Sequence, residues 1–316
     1  MKFTPLPMVA LILLLLLSNC KKEDIINNKV PIAEAGESQT IQINDESKGT
    51  VTLTGIGADS DGQIVGYQWS QVSGPDAAVI VNNGAAITEV KQLITGTYVF
   101  QLMVIDDEGA TGVDTVSLIV KGPQYVTLAL QPNNNTDEIH IFGNSGLNES
   151  GVNSTEIGAA AWTKDGNPVF MHAAFKFDLN SIPATATIKS AKLTLYSNPN
   201  PITGHPDNDL RANYGSDNTM LIQKVTGSWT AATVTYSNQP SATVTDQVVI
   251  PATSERFLDL VDIDVTQLVK DMTGTNTNNG FIIRLQNEVV YNSRVFCSSF
   301  YTTAEKHPKL IVTYKN

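Results

Sequence analysis

Apolar residues recur at every second position along much of this chain, and this spacing constrains the fold more than any other feature. In the run from Tyr98 to Val104, every even-numbered residue is large and apolar. The same alternation occurs from Val51 to Thr54 and from Ala191 to Leu195. Only an extended strand places alternate side chains on one face, so the pattern predicts half-buried antiparallel strands. Clusters of Gly, Asn, Asp and Pro separate these runs, which predicts an all-β protein.

The length of 316 residues favours two domains. Gly122-Pro123 provides the joint between them, because Gly loosens the chain and Pro cannot continue a strand. We therefore place one module at residues 30–121 and a second at residues 124–316. About seven short strands around a central Trp69 predict an immunoglobulin-like β-sandwich for the first module.

The second module is predicted to be a jelly-roll-like β-sandwich with one short helix. Four apolar residues have the i, i+3, i+4, i+7 spacing of one helix face: Val265, Leu268, Val269 and Met272. Asp264 is placed to cap the start of this helix and Gly274 to end it.

The N-terminal residues predict export. Lys2 is followed by an apolar run, Leu11 to Leu17, which is shorter than the roughly 20 residues of a membrane-spanning helix. The run ends in Leu17-Ser18-Asn19-Cys20, which resembles a lipobox and implies a signal peptide at 1–19 and a diacylglycerol on Cys20. An ordinary signal peptide with an incidental cysteine is the alternative.

Residues 20–29 then form a tether. The charged cluster Lys21 to Asp24 resembles the surface-export signal of Bacteroidetes lipoproteins, which implies an outer-membrane lipoprotein that faces outward. A tether that is simply well solvated explains the same composition.

Composition excludes some functions. The net charge of −11 argues against nucleic acid as a partner. With only two cysteines, a lipidated Cys20 leaves Cys297 without an intrachain partner, so no disulfide framework is expected. We expect Cys297 to be a small, buried apolar residue.

The first module carries six short motifs in order, and in this order they resemble a PKD domain (the polycystic-kidney-disease repeat). The resemblance covers about Val30 to Val120 and implies an extracellular spacer or presentation module. The motifs are Ala33–Gly36, Asp59–Ile64, Tyr67–Trp69, Gly74-Pro75, Gly96–Phe100 and Val104–Gly109.

Four carboxylates lie in the turns of this module. They could bind Ca²⁺, which prefers several oxygen ligands, or they could cap backbone N–H groups. Their spacing is unlike that of an EF-hand, which favours the capping role. These residues are Asp59, Asp61, Asp106 and Asp107.

Seven segments of the second module, in order, resemble the DNRLRE domain, which is grouped with the family 96 carbohydrate-binding modules. Most of them mark strand starts, corners and the helix start, so they indicate the fold better than the ligand. The long loop from Ser197 through Asn218 departs from this pattern; it could carry a ligand preference of its own or be a variable surface loop. The segments are Phe175–Leu179, Ile182-Pro183, Ile188–Tyr196, Trp229–Pro240, Ile263–Thr266, Ser298–Tyr301 and His307–Tyr314.

We find no signature of catalysis. The chain has no Gly-x-Ser-x-Gly elbow and no phosphate-binding loop. Glycan hydrolysis needs only two carboxylates, but we interpret Asp178 as a strand-end residue and Asp264 as a helix cap. The sequence therefore predicts no catalytic residues and no enzyme, with a glycan hydrolase or lyase as the less favoured alternative. The histidines are scattered singly, without the spacing of a zinc site: His140, His172, His205 and His307.

Sugar binding is the positive hypothesis, because sugars stack on exposed aromatic rings and accept hydrogen bonds from polar side chains. An Arg near an aromatic ring would suit an acidic sugar. Each of these aromatic residues could instead fill the interior of a loop. We assign Trp69 and Trp229 to packing. The predicted function is polysaccharide capture at the cell surface, for uptake or attachment by partner proteins; adhesion or scaffolding is the alternative. The predicted ligand contacts lie outside clear strand cores. Trp162 lies in the turn-like segment Trp162–Gly166, Arg211 and Tyr214 lie in the segment Arg211–Gly215, and Tyr291 and Arg294 lie in another loop-like segment.

Overall fold

A computed structural model gives the structure of this chain and describes residues 27–44, 48–132, 136–144, 146–151, 153–203, 209–275 and 277–316. The predicted signal peptide, the lipidation site Cys20, most of the tether and His205 lie outside these residues. The chain divides between Pro123 and Gln124 into two compact units. Among the described residues, no helix is long and apolar enough to cross a membrane.

The first unit is a β-sandwich. One sheet has the order β2-β9-β8-β5 and the other β3-β7-β6, while β1 pairs with β4. β2 runs parallel to β9, and the other pairs are antiparallel. The strands are β1 (Ile32–Glu34), β2 (Gln39–Gln42), β3 (Gly49–Thr54), β4 (Ile56–Ala58), β5 (Ile64–Ser73), β6 (Val79–Ile80), β7 (Ile87–Leu93), β8 (Gly96–Asp106) and β9 (Thr111–Lys121).

The core of this sandwich confirms the alternation in the sequence. The four even-numbered apolar residues from Tyr98 to Val104 are fully buried. Trp69 lies opposite Leu102 in the adjacent strand and is only 1 % exposed. Burial of a large aromatic side chain of this kind dominates the energetics of a small sandwich.

The second unit contains two antiparallel sheets. The smaller has the order β10-β22-β15-β19; the larger has the order β16-β21-β13-β14-β20-β17-β18, with β11 paired to β14 and β12 to β11. The strands are β10 (Val126–Leu130), β11 (Glu138–Asn144), β12 (Leu147–Gly151), β13 (Glu156–Lys164), β14 (Asn167–Phe175), β15 (Thr187–Leu195), β16 (Asn213–Tyr214), β17 (Met220–Lys224), β18 (Val248–Ile250), β19 (Leu260–Asp264), β20 (Phe281–Leu285), β21 (Asn292–Cys297) and β22 (Lys309–Lys315).

The larger sheet is covered on both faces. Ile283 packs in the main core, which includes residues of the smaller sheet and of the helix. Its neighbour Ile282 points to the opposite face and packs in a second apolar cluster with Trp229 and Val234. Trp229 therefore has the packing role that the sequence predicts. Its indole N–H also donates to the carbonyl of Asn279, at 2.8 Å.

The predicted helix face is confirmed, and Asp264 and Gly274 mark the start and the end as predicted. Helix α1 (Thr266–Gly274) buries Leu268, Val269 and Met272, and Val265 is its N-cap. Asp264 lies one residue before the cap, where its Oδ1 accepts the backbone N–H of Thr266 at 2.9 Å. Gly274 is the last helical residue, and Thr275 is the C-cap.

Cys297 is fully buried in β21, as expected for a small apolar residue. Burial raises the pKa of its thiol to about 11. The thiol is therefore protonated at neutral pH, and a protonated thiol is a poor nucleophile.

Candidate functional site

Three aromatic side chains meet on the second unit: Trp162, Tyr214 and Tyr291. The ring centroid of Trp162 lies 5.3 Å from that of Tyr214 and 5.2 Å from that of Tyr291, both in edge-to-face geometry. Such contacts stabilise a cluster while leaving ring faces available. We call these three residues the aromatic cluster.

Strand register explains why these residues meet. Strand β21 lies between β13 and β16 in the larger sheet. Trp162 lies near the end of β13, Tyr214 lies in β16 opposite Ser293, and Tyr291 immediately precedes β21. The prediction that Trp162 lies in a turn is wrong, because the turn of this hairpin is at Asp165-Gly166.

The cluster is presented to solvent rather than filling the interior of a loop. Tyr291 is 50 % exposed, and Trp162 and Tyr214 are half-buried. Tyr291 also has a backbone φ of 65°. This left-handed conformation is costly for a bulky residue and is found more often at functional sites.

Two clefts flank the aromatic cluster. The first has a volume of 300 Å³ and is lined by Trp162, Lys164, Ile202 and Thr203, among others. The second has a volume of 510 Å³ and is lined by Tyr214 and Arg211, together with the segment from Ala252 to Ser254. Trp162 lines the first cleft, and its contact partner Tyr214 lines the second. The aromatic cluster therefore lies between the two clefts.

Arg211 extends this site with positive charge. Its guanidinium lies over the ring of Tyr214, 5.3 Å from the centroid. Arg211 and Arg256 both pair with Asp209. Burial raises the pKa of the Asp209 carboxyl, but hydrogen bonds and charge from the two guanidiniums outweigh burial and hold its pKa below the ordinary value. The carboxylate therefore stays ionised, and the three residues carry one net positive charge.

The wall of the first cleft is held by a buried carboxylate that sequence reasoning missed. Glu156 is 1 % exposed. It accepts the side-chain N–H of Asn198 at 3.0 Å and the backbone N–H groups of Ile202 and Thr203 at 2.8 and 3.0 Å. Since Ile202 and Thr203 line the cleft, Glu156 fixes its shape. No sequence signal distinguishes this buried carboxylate from a solvated one.

Arg294 does not belong to the surface site, and its predicted position in a loop is wrong. It lies in β21 and is 0 % exposed. It pairs with Asn213, while its neighbour Ser293 pairs with Tyr214, so Arg294 and Tyr214 point to opposite faces of the sheet. Its Nη1 donates to the carbonyl of Pro251, and burial lowers the pKa of the guanidinium to about 10.

Three of the four turn carboxylates of the first unit accept backbone N–H groups. Asp106 is buried and accepts the N–H groups of Glu108 and Ala110 at 3.0 and 2.8 Å. Asp107 accepts the N–H of Gln63, at 2.9 Å.

The other two turn carboxylates, Asp61 and Asp59, differ from each other in their hydrogen bonds. Asp61 accepts the N–H of Lys29, at 3.2 Å. The carboxylate oxygens of Asp59 are buried without a hydrogen-bond partner. Within the described ranges, no group of three or more His, Cys, Asp or Glu residues is arranged to hold a metal ion.

The acidic residues considered for catalysis have structural partners. Asp178 accepts the backbone N–H of Asn180 at 2.9 Å, as expected for a strand-end residue. Asp264 pairs with Lys192 at 2.7 Å, and this hydrogen bond, with those from Thr266, lowers its pKa to about 2.

His172 has the closest contact to a carboxylate of the described histidines. Its Nε2 lies 2.6 Å from Oε1 of Glu288, and its Nδ1 lies 2.7 Å from Oε1 of Gln239. Both ring nitrogens are thereby engaged by carboxylate and amide oxygens. To activate a nucleophile, a histidine needs one of its two ring nitrogens to accept the proton.

An immunoglobulin-like sandwich followed by an all-β unit with solvent-facing aromatic rings defines a modular all-β protein. The family model "K319L-like, PKD domain" matches residues 35–120, and that of carbohydrate-binding module family 96 matches residues 153–314. The second match covers just over half of the chain, which therefore belongs to carbohydrate-binding module family 96. The resemblances to a PKD domain and to the family 96 carbohydrate-binding modules are therefore confirmed, in the order in which the sequence presents them.

Curated relatives share part of the chain. The dyslexia-associated protein KIAA0319-like protein of Mus musculus is 36 % identical over 95 residues, which are 30 % of this chain and 9 % of the relative. The dyslexia-associated protein KIAA0319 of Homo sapiens is 31 % identical over 143 residues, 44 % of this chain and 13 % of the relative. The chain thus spans a small part of the length of these relatives.

Among solved structures, the PKD domain from the KIAA 1837 protein is 30 % identical, with a TM-score of 0.26. The match covers 29 % of this chain and 87 % of that chain. The PKD1 domain of Vibrio anguillarum Epp is 24 % identical with a TM-score of 0.23, and the match covers 30 % of this chain and 99 % of that chain.

Proposed function

We propose that this protein is a cell-surface lipoprotein that captures polysaccharide at the aromatic cluster without cleaving it. The observation that supports this proposal is the convergence of Trp162, Tyr214 and Tyr291 between two clefts, beside the guanidinium of Arg211. The PKD domain holds the binding module away from the membrane. The captured glycan is then available to partner proteins for uptake or attachment.

The chemistry of the site suits a sugar chain. The C–H faces of pyranose rings pack against aromatic rings, and the volumes of 300 and 510 Å³ fall near or within the range of small-ligand sites. The single net positive charge of Arg211, Arg256 and Asp209 favours a glycan with carboxylates. A guanidinium can bind a carboxylate with two parallel hydrogen bonds.

The site is tested by replacing aromatic residues one at a time in the full chain and titrating neutral and acidic polysaccharides. We expect Trp162→Ala and Tyr214→Ala each to weaken binding about tenfold, equivalent to about 1.4 kcal/mol, because each removes a stacking surface. Tyr125→Ala is the matched control, because Tyr125 is an exposed tyrosine of the same unit that lines neither cleft. Unchanged binding by both cluster variants would place the glycan elsewhere and contradict the proposal.

The lipid anchor is proposed on the sequence Leu17-Ser18-Asn19-Cys20 at the end of the apolar run. Acyl chains contribute about 0.8 kcal/mol per buried CH₂, so two or more chains on one cysteine would hold the protein at a bilayer. We expect Cys20→Ser to move the protein from the membrane fraction to the soluble fraction, and surface proteolysis of intact cells to cleave only the anchored form. Membrane attachment that survives Cys20→Ser would contradict lipidation.

A further inference from the structure

A polar cavity of 710 Å³ lies in the second unit and is larger than either cleft. Its walls are the segment from Lys176 to Ala184 after β14, the end of helix α1 at Met272 and Thr273, and Asn278. It shares no lining residue with the clefts beside the aromatic cluster. A volume of this size is within the range of sites that bind small ligands.

Asn278, a residue in the wall of the polar cavity, carries a buried hydrogen-bond acceptor without a partner. The side-chain N–H of Asn278 donates to the carbonyl of Phe177, at 2.6 Å, and this bond fixes the orientation of the amide. Its other atom, Oδ1, is buried and has no hydrogen-bond partner in the structure. A buried acceptor of this kind is costly to leave unsatisfied, and it adds to the acceptor character of this wall.

Most of the remaining hydrogen-bonding capacity of the polar cavity also consists of acceptors. Asp178 and Asp137 contribute carboxylates, and Gln131 contributes a side-chain oxygen because its N–H is used by the carbonyl of Ala304. The cation in the wall, Lys176, is occupied: its Nζ lies 3.5 Å from Asp137 and 5.2 Å from the centroid of the Trp229 ring. An anionic ligand would therefore meet a surplus of negative charge, whereas a neutral ligand rich in hydroxyl groups would find acceptors.

Apolar side chains complete the lining. Leu179, Ile182 and Met272 are largely buried but still line the polar cavity, and Pro183 lies beside them. A pyranose ring presents apolar C–H faces and polar hydroxyl groups. The apolar side chains of the cavity suit the C–H faces, and the hydrogen-bond acceptors suit the hydroxyl groups.

We infer that the polar cavity is a second carbohydrate site, which binds a neutral, hydroxyl-rich oligosaccharide. The negative charge of the polar cavity disfavours an anionic sugar. Beside the aromatic cluster, in contrast, Arg211 and Arg256 favour a carboxylate. The inference depends on the membership of a carbohydrate-binding family and not on the aromatic cluster.

The test is calorimetric titration of the full chain with neutral hexasaccharides of glucose, mannose and xylose. Ala184→Trp places an indole at the rim of the polar cavity from an exposed position, so the fold is expected to tolerate it. Thr187→Trp is the matched control, because Thr187 is an exposed strand residue outside the lining. We expect at least one hexasaccharide to bind, Ala184→Trp to weaken that binding about tenfold or more, and Thr187→Trp to change it less than about twofold.

Trp162→Ala separates this inference from the function proposed above. If the second site exists, Trp162→Ala leaves binding of the neutral hexasaccharide within about twofold, whatever its effect on polysaccharide. Loss of binding in Trp162→Ala but not in Ala184→Trp would assign the sugar to the aromatic cluster and overturn the inference. The inference would also be overturned if none of the three hexasaccharides bound. The same holds if titration with CaCl₂ showed binding while no sugar bound.

Discussion

Buried carboxylates hold distant segments of the second unit in place. Glu138 accepts the backbone N–H of Ser299 at 3.0 Å and its hydroxyl at 3.2 Å, although the two residues are far apart in sequence. Glu156 does the same for the segment that forms the wall of the first cleft. Burial raises the pKa of both carboxyls against the opposing effect of these hydrogen bonds, for Glu138 to about 7.

The raised pKa of Glu138 makes stability depend on pH. Between the ordinary glutamate pKa of about 4.5 and a folded pKa of about 7, the folded state binds more protons than the unfolded state. The free energy of unfolding should therefore fall as pH rises through this window, by an amount on the order of 3 kcal/mol from this group. We expect Glu138→Gln to remove this part of the pH dependence, so that the variant gains stability relative to the natural protein as pH rises.

Urea unfolding between pH 4 and pH 8 measures this effect. Glu149→Gln is the control, because Glu149 is an exposed glutamate whose side chain is 58 % accessible. A difference between Glu138→Gln and the natural protein that is the same at all pH values would contradict the assigned role of burial.

All three members of the aromatic cluster can be predicted from the sequence, but their surroundings cannot. Trp162, Tyr214, Tyr291 and Arg211 are predicted contacts outside clear strand cores, and the structure brings them together. Arg294 is predicted on the same grounds, but register turns it to the inner face of the sheet. Register depends on pairing between strands that are distant in sequence, so a single sequence does not reveal it.

At the level of secondary structure, local patterns predict which elements form but not what packs against them. The helix face of α1 follows from the spacing of its apolar residues, and Asp264 and Gly274 mark its two ends. Gly143 in β11 is a position that local patterns do not explain, because an added Cβ would lie 1.9 Å from Cγ of Tyr236. Tyr236 therefore packs directly on the backbone of β11, and only the folded chain shows why this position is Gly.

The loop after β15 departs from the family pattern, and the sequence leaves two interpretations of it open: a ligand preference of its own, or a variable surface loop. In the structure its first part, through Thr203, is bound to Glu156 and lines one cleft. Arg211, near its other end, lines the second cleft. The loop thus contributes to both clefts, which supports a role in ligand preference.

At the level of the whole molecule, each unit has its own hydrophobic core. The core of the first unit lies entirely before Pro123, and those of the second lie entirely after Gln124. Each unit should therefore fold when it is produced separately. The net charge of −11 describes the chain as a whole and does not prevent a local positive charge at Arg211 and Arg256.

Glycan binding by the second unit is tested most directly by titrating residues 124–316 and residues 27–123 separately. Both fragments and the full chain are titrated with a panel of neutral and acidic polysaccharides, with and without Ca²⁺. We expect residues 124–316 to bind with the affinity of the full chain within about twofold, and residues 27–123 not to bind. Binding by residues 27–123, or a folded 124–316 fragment that binds no polysaccharide of the panel, would contradict glycan capture by the second unit.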